Sequence, residues 1–331
     1  MSAGGGFAAR GRSLAAVGAL LAASIGPHLP SLTAGYTFDD RDLVVNNPAV
    51  RSLPAAARAF GAAFPPGQEE RGLYRPLVNV SYALDRALFG ESPIAHHVGS
   101  TLVNTAVVLL AYAFLRRHLG GGLAALAGAL LFALHPVHAE AVDSITGRSE
   151  LLALGFTLGA LSSFEAWTRR PAGRWPRAAL AATTLVLVSL AALSKESGLM
   201  SGGVVGAAAV LLVPPPARRR ALLWHAPALA AVAAAYLAVR LSVLGRLQPA
   251  QTVFGPSSSL ASRVATMGSV FLENVRLLFA PVTLDVDYYY QHAVGVSASV
   301  TARAALGLAL LGLALLGTAW LARRALSAPC S

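Results

Sequence analysis

Apolar runs divide the chain, and most charged residues fall between or at the ends of them. Eight runs approach the roughly 20 residues that a helix needs to cross a bilayer. They lie near 13–34, 95–115, 121–135, 151–167, 178–193, 198–213, 221–244 and 301–321. In lipid every backbone amide must be paired within the chain, so runs of this kind are expected as helices. The predicted fold is an all-α, polytopic transmembrane helix bundle of eight or nine membrane segments, in one domain over 1–331. A ninth stretch, 260–284, is apolar but carries Arg263, Glu273, Asn274 and Arg276. Its neighbours leave no odd crossing for it, so an interfacial or re-entrant helix is expected, with a full span and the C-terminus outside as the alternative.

Composition supports this reading. Hydrophobic residues make up 55% of the 331 and charged residues only 12%, against about 25% charged in soluble domains. The formal charge of +11 on a soluble protein would point to a nucleic-acid partner, but the placement of the bases removes that meaning. Arg10, Arg12, Arg116, Arg117, Arg169, Arg170, Arg174, Arg177, Arg218–Arg220, Arg323 and Arg324 cluster at alternate ends of the runs. The positive-inside rule puts them on the cytoplasmic side. That side then holds 13 bases and one acid, Glu165, for +12, and the other side 13 bases and 14 acids, for −1. The N-terminus is predicted inside, the membrane is expected to be the bacterial inner membrane, and nucleic acid is excluded as a partner. Outer loops are expected at about 35–94, 136–150, 194–198 and 245–300. Pro27, His28 and Pro30 make a poor signal-peptidase region, so the first helix is expected to stay uncleaved. The single cysteine, Cys330, allows no intrachain disulfide. Small-residue pairs at Gly155/Gly159 and Gly202/Gly206 predict close helix packing.

The polar residues outside gather in a few places. The first outer loop begins YTFDDRDLVVNNPAV, which sets Asp39 and Asp40 directly after the first helix. Mutual repulsion and a nearby low dielectric both raise carboxyl pKa, a property suited to a general base; a solvated turn is the plain alternative. The stretch GLYRPLVNVSYALDRALFG, residues 72–90, reads as an amphipathic helix on the membrane surface, headed by Arg75, which can grip a phosphate or simply snorkel. The second outer loop, LHPVHAEAVDSITGRSE, supplies His135, His138, Glu140, Asp143, Arg148 and Glu150. Two histidines can ligate a metal, but their spacing matches no specific zinc signature. A mixed set of acids, histidines and arginine suits a polar, phosphate-bearing substrate better. In SKESG, residues 194–198, the only lysine, Lys195, stands beside Glu196, either as a functional cation or as a local ion pair. LFAPVTLDVDYYYQH, residues 278–292, brings Asp285 and Asp287 with three tyrosines to the same side.

Five stretches, FDDRDLVVNNPAV, YRPLVNVSYALDRALFG, LFALHPVHAEAVDSITGRSELLA, LSKESG and LLFAPVTLDVDYYY, occur in the order seen in one family. From about Tyr36 to Tyr290 the chain resembles the transmembrane and tetratricopeptide-repeat O-mannosyltransferases and their bacterial relatives, within the GT-C glycosyltransferase superfamily. The resemblance implies a GT-C-type bundle with interfacial helices in its long first outer loop. It implies inverting transfer of mannose from a polyprenyl-phosphate carrier to a Ser/Thr hydroxyl of a protein acceptor. Asp39 or Asp40 would be the general base, and Arg75, Arg148 and Lys195 would steady the departing phosphate. His135, His138 and Glu140 match the family's HPxHxEAV loop and would orient donor or acceptor, with Glu196 and Asp287 further substrate contacts. The lipid-linked sugar is donor substrate, membrane lipids surround the bundle, and the superfamily leaves the use of a divalent cation open. Family members continue into more helices and a repeat domain, whereas this chain stops at Ser331, so a short or truncated form is expected. A transporter or lipid flippase, and a non-catalytic relative, are the competing readings.

Overall fold

The computed structural model describes residues 3–120, 122–170, 174–247, 254, 258–284 and 299–327. Among them the secondary structure is helical, with no strand. The chain groups into two compact units, Met1–Gly206 with Leu223–Leu247, and Ala207–Leu222 with Gln248–Ser331.

The first unit opens with α1 (Ala3–Ile25), which a 3₁₀ stretch, Gly26–Thr33, extends past Pro27 and Pro30. A connector follows that carries α2 (Leu53–Arg58) and α3 (Pro76–Phe89). Then come α4 (Pro93–His118), α5 (Leu123–Ala133), α6 (His138–Asp143), α7 (Arg148–Arg169), α8 (Arg174–Ser194) and α9 (Met200–Leu211). α10 (Pro215–Leu244) follows, and of α9 and α10 only the parts up to Gly206 and from Leu223 belong to this unit. The second unit contains α11 (Leu260–Phe279) and α12 (Ala302–Ser327).

Among the described residues six helical segments are long and apolar enough to cross a membrane: Ser13–Thr33, Pro93–His118, Ile145–Arg169, Trp175–Ser194, Ala217–Leu244 and Ala302–Arg324. Helices also form at the two other predicted runs, but α5 has 11 residues and α9 has 12. At about 1.5 Å per residue each is well short of the roughly 30 Å hydrocarbon layer.

Three apolar clusters hold the first unit together. Leu20 and Ala23 of α1, Val108 of α4, and Ala129 and Ala133 of α5 form one. Leu43, Val44, Val50, Phe64, Val78 and Tyr82 of the connector close on Ile145 just before α7. Ala63 and Tyr74 of the connector pack with Ala192 of α8 and Tyr236 and Leu244 of α10. The long first loop is thus a folded cap over helix ends. Gly155 and Gly159 do mark close packing: a Cβ there would stand 3.2 Å from Val107 Cγ2 and 3.3 Å from Leu187 Cδ1. The second predicted pair is looser, since Gly202 has only ordinary contacts and nothing lies within 4 Å of a Cβ at Gly206.

α3 is two-faced, as an amphipathic helix should be, but its buried face is partly polar. Val78, Tyr82, Asn79 and Asp85 turn inward, and Leu84, Leu88 and Phe89 stay exposed. The buried polar members have partners: Asn79 Oδ1 accepts from Asn47 Nδ2 at 2.8 Å, and Asp85 binds His96 Nδ1 at 3.1 Å. The exposed leucines form the apolar face an interfacial helix offers to lipid.

In the second unit α11 and α12 lie side by side and antiparallel, because Glu273 meets Arg303 whereas Gly268 meets Ala304 and Leu308. The charges that distinguish 260–284 pair here: Glu273 binds Arg276 at 2.6 Å and Arg303 at 2.5 Å. The backbones cross at two glycines, where a Cβ on Gly307 would stand 1.8 Å from the Gly268 carbonyl oxygen. Neither backbone can yield that space without separating the helices. Gly307→Val is therefore expected to lower the stability of the hairpin by about 1–3 kcal/mol, the usual effect of overpacking. The thermal midpoint of the detergent-solubilised protein checks this, and an unchanged midpoint would show that the crossing is not tight.

Candidate functional site

The turn that begins α7 is a meeting point for the connector and, through Lys195, for the turn that follows α8. Asp40 is buried and accepts from Thr146 N at 3.2 Å, from Thr37 N at 3.0 Å and from Thr37 Oγ1 at 3.3 Å. Its neighbour Asp39 is turned away, with 66% of its side chain exposed, 3.6 Å from Arg71. Arg71 also pairs with Asp42 at 2.6 Å. Phe38, just before the pair, has φ 42°, in the left-handed region that bulky residues avoid. Such a conformation costs on the order of 1–3 kcal/mol and persists only where its surroundings enforce it. The two acids are therefore separate groups: one anchored in amides, the other at the surface beside a guanidinium.

Arg75 enters from the same connector. Its Nε and Nη2 grip Glu196 Oε2 side-on at 3.0 and 2.8 Å, and Nη1 reaches Ser149 Oγ at 3.5 Å. Ser149 Oγ donates back to the Thr146 carbonyl at 3.4 Å, so Asp40 and Arg75 reach the same turn of α7. Glu196 also accepts from Tyr74 N at 3.2 Å and lies 3.4 Å from Arg240 Nη1. Burial pushes the Glu196 carboxyl up, but Arg75, its hydrogen bonds and the backbone amides outweigh burial and hold it below the ordinary value. Within SKESG the two charges part. Lys195 pairs with Glu150 of α7, while Glu196 faces the arginines, so the local Lys195–Glu196 pair is not formed. The turn needs Gly198, since a Cβ there would stand 2.0 Å from the Ala191 carbonyl oxygen.

Arg148 differs from the other predicted cations. It is 1% exposed. It bonds Asp85, the His96 carbonyl and Ser100 Oγ, and it lies 4.8 Å from the centroid of the Tyr82 ring. Tyr82, whose phenol burial pushes well up, donates to the Ile145 carbonyl at 2.8 Å. With each of its three nitrogens bonded and almost no exposed surface, Arg148 in this geometry braces α3, α4 and α7 together.

His135 and His138 stand with ring centroids 6.2 Å apart at the junction of α5 and α6, and Glu140 is exposed on α6. Burial pushes the His138 imidazole below its ordinary value, and His135 and His28 add to the shift. Asp143, on the same short helix, binds His28 Nδ1 at 2.8 Å, tying α6 to the end of the first segment. Among the described residues no three His, Cys, Asp or Glu side chains come together in a metal-holding group. Asp285 and Asp287 with their tyrosines lie outside the described residues. At the opposite helix ends Glu165 is buried against His118 Nε2 at 2.5 Å, with Arg117 and Arg169 each at 3.8 Å.

Arg240, Arg71, His28 and Ser149 were not singled out from the sequence. A signal existed for Arg240, which is an isolated charge inside an apolar run. The others became visible only through partners more than 25 residues away.

Fold and site together define an all-α polytopic helix bundle with a charged cluster where its connectors fold over the helix ends. Comparison with known proteins adds a resemblance in sequence. The chain is 33% identical over 194 residues to protein O-mannosyl-transferase F38B6.6 of Caenorhabditis elegans, covering 55% of this chain and 26% of the relative. It is 33% identical over 175 residues to protein O-mannosyl-transferase TMTC3 of Mus musculus, covering 51% and 18%. It is 31% identical over 179 residues to protein O-mannosyl-transferase Tmtc2 of Drosophila melanogaster, covering 52% and 19%. These matches bear out the resemblance to the transmembrane and tetratricopeptide-repeat O-mannosyltransferases. The chain spans about a quarter or less of the length of these relatives. No protein-family model matches it, and no solved structure does.

Proposed function

We propose that this chain is a membrane glycosyltransferase. In this reading it moves mannose from a polyprenyl-phosphate carrier to a Ser/Thr hydroxyl of a protein, with inversion, at the outer face of a bacterial inner membrane. The observation that carries the reading is the convergence of the Asp39/Asp40 connector and the Arg75–Glu196 pair on one turn of α7. The relatives' name, protein O-mannosyl-transferase, supplies the reaction class.

Asp39 is the better base of the two acids because its carboxylate is accessible, whereas Asp40 is committed to three donors that shape the loop. Asp39 takes the proton of the acceptor hydroxyl as its oxygen attacks the anomeric carbon. The bond from that carbon to the phosphate oxygen breaks on the opposite face. The phosphate leaves with its charge held by fixed cations, Arg75 and Lys195. His138 and Glu140 orient the sugar or the acceptor. The charged groups of the first unit sit at helix ends, unlike the midplane sites and broken helices of transporters.

The deciding experiment is mass spectrometry of exported proteins from cells with and without the gene. Hexose on Ser/Thr sites is expected to vanish with the gene and to return on complementation. An unchanged set of modified sites would overturn the reading.

A further inference from the structure

Arg240 is a charge buried near the end of an apolar helix, one turn before Leu244, and it does not fit the mechanism as a ligand contact. Its side chain is 9% exposed. Nη2 donates to the Gly72 carbonyl at 2.7 Å and the Leu247 carbonyl at 3.3 Å. Nη1 reaches Tyr236 Oη at 3.4 Å and Glu196 Oε1 at 3.4 Å. A guanidinium so occupied cannot grip a second anion. A buried cation in an apolar helix is costly, and something must repay that cost.

What Arg240 touches is the support of Arg75. Gly72 precedes Arg75 by three residues and has φ 64°, in the left-handed region, so the carbonyl held by Arg240 belongs to the turn that launches Arg75. Glu196 is shared between both arginines. Its side-on grip takes Nε–H and one Nη2–H of Arg75. Of the five guanidinium donors, the two on Nη1 and the second on Nη2 remain, and only the 3.5 Å approach to Ser149 Oγ draws on them. Two of those point the same way at the end of the fork, the arrangement that takes a phosphate bidentately. Charge follows the same logic. Arg75 and Glu196 alone are neutral as a pair, while with Arg240 the trio carries +1.

We propose that Arg240 is a positioning residue for a phosphate group bound by Arg75. By offsetting Glu196 and pinning Gly72, it lets one carboxylate orient Arg75 without cancelling the charge that the phosphate meets. This rests on the glycosyltransferase reading for the ligand's identity, a lipid monophosphate. Its physical content is phosphate binding, and that can be measured without any sugar transfer.

The test is a titration of the purified, detergent-solubilised protein with undecaprenyl phosphate, followed by thermal shift, with inorganic phosphate in a parallel arm. Arg240→Lys keeps the charge, and Arg240→Gln keeps a donor for the Gly72 carbonyl without it. Arg240→Lys is expected to bind the lipid phosphate within about threefold of the parent, and Arg240→Gln to bind about tenfold or more weakly. In a transfer assay Arg240→Gln is expected to raise KM for the lipid-linked sugar by a like factor, with kcat nearly unchanged. Inorganic phosphate competing at similar concentration would assign the site to free phosphate rather than to the lipid and overturn the lipid source. Equal Kd for Arg240→Gln and the parent would overturn the role of Arg240. Should Arg240→Gln fail to fold, Arg240→Lys decides: binding within about threefold of the parent supports the charge argument, and a tenfold loss in that folded, charge-keeping variant would overturn it. Phosphate binding without sugar transfer by the parent would defeat the glycosyltransferase reading alone.

Discussion

An Asp39→Asn variant is expected to insert and fold like the parent while transferring sugar about 10²–10⁴-fold more slowly, the range lost with a general base. The amide is nearly isosteric and the side chain is exposed, so the substitution removes the proton acceptor and little else. Asp40→Asn is expected to behave differently. Its two oxygens accept from Thr37 N, Thr37 Oγ1 and Thr146 N, and an amide would turn a donor toward one of these. Loss of thermal stability, about 1–3 kcal/mol for an unsatisfied buried group, should accompany any loss of activity there. Membranes supplied with polyprenyl-phosphate mannose and an acceptor peptide give the rate, and the melting midpoint gives the stability. Full activity in Asp39→Asn would sink its assignment as base. A pure rate loss in Asp40→Asn, with an unchanged midpoint, would move that role to Asp40.

Why the pair divides this way was only half legible in the sequence. Two adjacent acids after a membrane helix are conspicuous, but adjacency along the chain does not say where each side chain goes. Phe38 in the left-handed region sets the direction, and nothing local marks an aromatic residue for that conformation. The helices were legible because membrane helices are written as uninterrupted apolar runs. Their lengths were less so: α5 and α9 are bounded by Gly122, by Leu134 before His135 and Pro136, and by Pro214, local breaks that shorten an apolar run without changing its composition. Partners across the fold were not legible at all. Lys195 stands next to Glu196 in the chain yet pairs with Glu150, and Glu196 pairs with residues 121 and 44 positions away. Alternation of side chains in a tight turn sends consecutive residues to different neighbours, so sequence proximity is a poor guide to ion pairing. The same limit explains Arg148, whose place in a run of site-like residues concealed a structural role.

Arg148 carries the second large expectation, because it is an almost fully buried charge that Asp85 answers. Arg148→Met removes the cation and leaves Asp85 facing only His96, in a region closed by Tyr82 and α4. Breaking one partner of a buried pair strands the other, which typically costs about 3–5 kcal/mol. Little folded protein should survive solubilisation, and what survives should melt at a much lower temperature. Were Arg148 instead a phosphate contact, the outcome would be a stable protein with weakened donor binding. The double variant Arg148→Met/Asp85→Leu separates these cases. If the pair is a brace, removing both charges recovers much of the stability lost in the single variant, since no stranded group remains. If Arg148 binds substrate, the double variant gains nothing over the single one in stability and stays weak in binding. A stable Arg148→Met protein would return this residue to the phosphate site, and a rescued double variant leaves that site to Arg75 and Lys195.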